Sequence, residues 1–273
     1  MVDLLIARII AVLAMTGLAA YTDIKTGLIY DKITYSGIAL GLLFNLIDFN
    51  LFGIAFATAI FLGSYFFYYI GGIGGGDVKM FTATAMLLPF HNNFPFLLSA
   101  LFFASIASIA VFSIYFVYTA LKKKPETFRE KMPLAIMYAA CFLLAMFLLL
   151  QLNVVNPLSF LVLAGTFILA SPYLAFKKEI QGQLFLQQVS VEKLEDDEII
   201  AKEFLDEKIR EKLTANAKGI FTDKDKLLLK EMGIASVPVY RGLPPFAPFF
   251  LLGVILSLLF PDFFFNAFAL AFL

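Results

Sequence analysis

Gly71-Gly72-Ile73-Gly74-Gly75-Gly76-Asp77-Val78-Lys79 joins two strongly apolar runs, 51–70 and 78–90. Five glycines and then a carboxylate are costly there, because unpaired backbone and charge both suffer when water is removed. Glycine adopts backbone angles closed to other residues and lets another chain approach closely. An ionisable side chain at the edge of a membrane span marks a functional site by default. Asp77 therefore calls for a partner.

The surrounding chain sets the class. It is 61% hydrophobic and 15% charged, with a mean hydropathy of +0.87, which is too apolar for a soluble domain of this length. The expected fold is an all-α polytopic membrane protein. Apolar runs fall at 4–22, 33–47, 51–70, 78–90, 94–121, 132–152, 155–176 and 246–272. They predict about eight transmembrane helices, within a range of roughly six to nine, since roughly 20 apolar residues cross a bilayer as a helix. The first run is read as a span rather than a cleaved signal peptide, because it lacks a basic leading region and carries Asp3. Cys141 is the single cysteine, so no disulfide within the chain and no paired-cysteine zinc site is expected. No metal, no cofactor and no nucleic-acid partner is expected. The lone His91 lies in a short His-Asn-Asn loop and is read as solvated.

Basic residues in short loops face the cytoplasm. Lys25 and Lys32 follow the first run, Lys79 the third, and Lys122, Lys123, Lys124, Arg129 and Lys131 the fifth. The alternate loops are nearly free of them. With eight spans and the N-terminus outside, every basic loop falls on one side. Arg8 is the exception, and at the outer end of its helix it is expected to reach for the headgroups.

More than half of the charged residues lie between Lys177 and Arg241. The predicted division is a membrane catalytic core over 1–121, further transmembrane helices over 122–176, a small cytoplasmic α+β insert over 177–241 and the last transmembrane helix over 242–273. Within the insert, 183–191 reads as a strand and 195–213 as a helix with Ile199, Ile200, Phe204, Ile209 and Leu213 near one face. Thr222 and Asp225 resemble a capping box, and Gly233 suits the end of that helix. The charges are read as a solvated surface, with a role in holding substrate as the alternative.

Tyr21-Thr22-Asp23-Ile24-Lys25 ends the first run on the same side as Asp77. If the first and fourth helices are neighbours, Asp23 and Asp77 can share a water. Adjacent carboxylates split their titration, leaving one as general base toward water and the other as general acid toward the carbonyl and the leaving amine. The helix dipole suggests that Asp77, at an N-terminus, is the anion and that Asp23, near a C-terminus, holds the proton. Read separately, Asp23 is a helix terminator beside the headgroups and Asp77 an N-cap. Lys25 and Lys79 read as positive-inside anchors, with an accessory role at the site as the alternative. Asp31 reads as water-facing trim, with contact to a basic leader as its alternative.

The segment 72–79 resembles the GxGD signature of type IV prepilin peptidases, including the archaeal preflagellin peptidases. Tyr-Thr-Asp-Ile-Lys at 21–25 resembles their first catalytic-aspartate motif, and 221–246 is similar to the region before the last span in archaeal members. The resemblance implies a membrane aspartic endopeptidase that removes a short basic leader from pilin-like or flagellin-like precursors at the cytoplasmic face. Asp23 and Asp77 would be its catalytic pair, with Gly72, Gly74, Gly75 and Gly76 as the loop that substrate approaches. The cysteine motif of many bacterial members is missing, which implies peptidase activity without N-methylation. Ile29-Tyr30 stands where bacterial members usually have Ile-Pro, which favours the archaeal branch.

Two other classes fit parts of the pattern. A presenilin-like intramembrane protease also pairs Tyr-Asp with GxGD, but it carries a Pro-Ala-Leu motif that is missing here and places its motifs on consecutive spans. A cation- or proton-coupled transporter would use the glycine break and two acids as an ion site, but usually shows an internal repeat.

Overall fold

The computed structural model describes residues 2–123, 125–180, 186–194, 199–201, 204–205, 223–240 and 244–263. Among these, the apolar chain folds into α1 (Val2–Thr26), α2 (Asp31–Ile47), α3 (Leu51–Tyr69), α4 (Gly75–Leu87), α5 (Phe96–Lys123), α6 (Pro125–Gln151), α7 (Pro157–Ile180) and, after the insert, α9 (Ala247–Leu259). The protein is a polytopic all-α membrane protein. Five of these helices, α1, α3, α5, α6 and α7, are long and apolar enough to cross a bilayer. The other three are shorter, and α4 is the shortest of the first seven.

Helix α4 is nonetheless the centre of the bundle. Val78 and every residue from Met80 to Leu87 is buried, and α1, α2, α3 and α5 all pack against it. Pro89 sets its end, because a following proline disfavours helical backbone, and Leu88 has left the helical region at φ −136°, ψ 80°. A small hairpin, β1 (Phe90–His91) with β2 (Phe94–Pro95), turns the chain into α5. His91 is half-buried there, edge-on to Phe96, rather than simply solvated as the loop composition suggests. Burial holds its imidazole below the ordinary value.

The far end of α4 is held by groups from two neighbours. Arg8 donates to the Leu87 carbonyl at 2.8 Å and Asn45 donates to that of Met86 at 2.7 Å, supplying partners to the orphan carbonyls of a helix C-terminus. Arg8 also pairs with Asp48 at 3.1 Å. It is 5% exposed, so the expectation that it reaches for headgroups is corrected: a helix end with unpaired carbonyls inside the bundle is the better partner. Gly41 lets α2 lie directly on α4, since a Cβ there would come within 2.6 Å of the Met86 backbone.

The insert holds a three-stranded antiparallel sheet in the order β3 (Leu186–Ser190), β5 (Ser236–Tyr240), β4 (Ile199–Ile200). The strand expected over 183–191 is present as β3. The helix expected over 195–213 is corrected where the structure describes it: Ile199 and Ile200 pair with Tyr240 and Val239. Two apolar residues in a row fit a helix face or an edge strand equally well, and the buried side chains of Val237 and Val239 settle it for the strand. Ile209, Leu213 and Thr222 lie outside the described residues. Helix α8 (Asp223–Glu231) ends as expected at Gly233, which has φ +69°. Ile234 N–H reaches the Leu229 carbonyl and Gly233 N–H that of Lys230, the paired bonds of a Schellman closure.

Candidate active site

Asp23 lies in the last turn of α1 and Asp77 in the first turn of α4. A tight connection, Gly27 to Tyr30, folds α2 back beside α1. Gly27 takes φ +70° to allow it. Helices α2 and α4 then pack along each other, so the end of α1 and the start of α4 face the same end of the bundle. Asp23 lies within electrostatic range of Asp77. The structure thus brings together the two carboxylates that are 54 positions apart in sequence, Asp23 and Asp77.

The glycine stretch has a definite shape. Gly71 takes φ +78° and turns the chain at the end of α3, where Gly72 N–H bonds to the Phe67 carbonyl. Gly72 and Gly74 are exposed. Gly74 is the N-cap of α4, with extended backbone, and Asp77 stands in the first turn that follows it. Gly75 and Gly76 are already helical. A side chain at Gly76 would meet Ile29 at 3.0 Å, so this glycine is what admits the α1–α2 connection to the start of α4.

Asp23 is 9% exposed and its Oδ2 accepts a 2.9 Å hydrogen bond from the Ala247 amide, the first residue of α9. A second helix N-terminus is therefore aimed at Asp23. This removes the asymmetry on which the dipole argument relied: both carboxylates now sit at the positive end of a helix. The sequence signal that points to this start is Pro248, since proline suits the first turn of a helix.

The accessory candidates have partners of their own. Lys79 pairs with Asp31 and lies over the Tyr35 ring at 5.3 Å. Asp31 is thus an ion-pair partner rather than bare trim. Lys25 is exposed and rests against Tyr21, its own helical neighbour. Aromatic residues mark the depth. Tyr21, Tyr30, Tyr35, Tyr65, Tyr68 and Tyr69 lie at the dyad end of α1, α2 and α3 or in the connection between α1 and α2. Tyrosine gathers at membrane–water boundaries, where its ring is in lipid and its hydroxyl in water.

Known proteins bear on this segment. The type IV leader peptidase family matches residues 10–120, the stretch that carries both aspartates. A curated relative, prepilin peptidase EppA of Methanothermobacter thermautotrophicus, is 29% identical over 139 residues, covering 41% of this chain and 36% of the relative. The match thus spans about a third of the relative's length. No solved structure matches. Within the matched segment α1 and α4 supply the carboxylates and the α3–α4 connection the glycine turn, while Ala247 comes from beyond it.

Proposed function

We propose that the protein is a membrane aspartic endopeptidase that removes short basic leader peptides from type IV pilin-like or archaeal flagellin-like precursors at the cytoplasmic membrane face. The observation that carries this reading is the meeting of Asp23 and Asp77, from separate helices, at one end of the bundle within reach of each other's charge. The family match over 10–120 and the name of the relative supply the substrate class. The tyrosines around the dyad support hydrolysis at the membrane boundary over cleavage deep in the bilayer.

In this reading a water lies between the carboxylates. The ionised one takes a proton from it while oxygen attacks the scissile carbonyl carbon, and the protonated one hydrogen-bonds the carbonyl oxygen. The tetrahedral centre collapses as the C–N bond breaks, and the leaving amine receives a proton from the dyad. Asp23 is held by the Ala247 amide, and Asp77 stands in the first turn of α4. The exposed Gly72 and Gly74 leave the approach to Asp77 without side chains, so an extended peptide can come close.

The test is incubation of membranes containing the protein with a pilin-like precursor, followed by mass measurement of the product. The expected result is a single cut just before the precursor's apolar segment. A cut within that segment would favour the presenilin-like reading. Ion flux in vesicles that depends on both aspartates, without any cut, would favour a transporter.

A further inference from the structure

Helix α9 touches both helices that carry the aspartates. At its first residue the Ala247 amide donates to Asp23 Oδ2. One turn further on, Phe250 meets Phe81 of α4 at 5.3 Å between ring centroids, and Phe246 meets the same ring at 6.2 Å. Phe81 stands four residues after Asp77, on the same face of α4. Helix α9 is itself fixed on α5: at Gly253 a Cβ would fall 2.2 Å from the Ala100 carbonyl oxygen, so the two backbones are in direct contact. Phe250 and Gly253 are both fully buried positions of α9. The family match ends at residue 120 and so assigns nothing to this helix.

We propose that Ala247, Phe246 and Phe250 are positioning residues for the dyad. The Ala247 amide aims the Asp23 carboxylate, and the two rings hold the Asp77 helix at a set distance from it. This rests on the reading of Asp23 and Asp77 as the reacting pair. A backbone amide neither titrates nor changes rotamer, so it fixes one carboxylate oxygen and leaves Oδ1 to face the reacting water. Such preorganised donors need no rearrangement when charge moves. The arrangement also explains why the leader peptidase segment alone would be incomplete: one of its carboxylates is oriented from outside it.

Incorporating lactic acid at position 247 during cell-free synthesis into vesicles replaces this one amide by an ester, deleting the N–H and leaving every side chain. The expected result is a fall in kcat of roughly tenfold or more with KM changed by less than about twofold, as for loss of a single donor to a charged group. The infrared carboxyl band assigned to Asp23, by its loss in Asp23→Asn, shifts in the ester protein. Phe250→Ala keeps the donor, so it lowers kcat while leaving that band in place. An ester protein with unchanged kcat and band overturns the proposal, as does a fall in kcat without a shift of the band. The band needs no substrate, so it decides the positioning even where the wild-type protein cleaves no precursor; in that case it is the leader-peptidase reading that fails.

Discussion

Asp23 is held by the Ala247 amide, and Asp77 stands in the first turn of α4. Two carboxylates sharing one proton give a bell-shaped dependence of kcat/KM on pH, with apparent values that belong to the pair. A rate that rises through one titration and then stays level over the accessible range would mean that a single group acts. Lys79 is tied to Asp31, on side chains that are 29% and 58% exposed. Exposed pairs contribute about 0–1 kcal/mol, so Lys79→Met should change kcat/KM by less than about tenfold and leave the melting temperature in detergent nearly unmoved. A loss comparable to that of an aspartate variant would place Lys79 in the chemistry. The two aspartates were legible because charge is rare in apolar sequence and therefore conspicuous. The Ala247 amide was not, because a main-chain donor has no letter of its own; only the proline beside it, Pro248, gave a sign of a helix start.

At the scale of elements, the bundle is set by places where backbones touch. Gly41 on α2 and Gly253 on α9 each leave no room for a methyl group against the neighbouring helix. Gly41→Ala should lower stability by about 1–3 kcal/mol, the usual result of overpacking a tight core. Gly76→Ala is different in kind, because its new methyl would press on Ile29 in the α1–α2 connection. It should cost activity more than stability, by pushing the end of α1 away from α4. Activity assays and detergent melts on the two variants separate these effects; equal losses of both quantities in both variants would contradict the distinction. The apolar runs made the helices readable, and Pro89 and Gly233 made their ends readable. Which helices touch was not readable, because glycine pairs that dock two helices look like any other small residues until the partner is known. Ile199 and Ile200 show the same limit in the insert: their partner strand, Ser236–Tyr240, decides their conformation.

Across the whole molecule, the two ends of α4 have opposite tasks. One end carries Asp77 and meets α1 and α9. The other is fastened by Arg8 and Asn45, with Asp48 completing the charge. Arg8→Met would strand the Leu87 carbonyl and leave Asp48 unpaired, lowering stability by about 1–3 kcal/mol in a detergent melt. If the melt does not move, the fastening is not what holds α4. The insert joins the same scheme, since its last strand leads into α9 and Tyr240 packs against the cluster of Phe116, Ala135, Ala175 and Phe176 on the membrane helices. The central claim is that Asp23 and Asp77 act as one catalytic unit. The most direct measurement is the initial rate of precursor cleavage by Asp23→Asn, Asp77→Asn and the double variant. All three should be slower than wild type by about 10³-fold or more, and by equal amounts, because residues that act as a unit are not additive. Wild-type-like cleavage by either single variant would contradict the account.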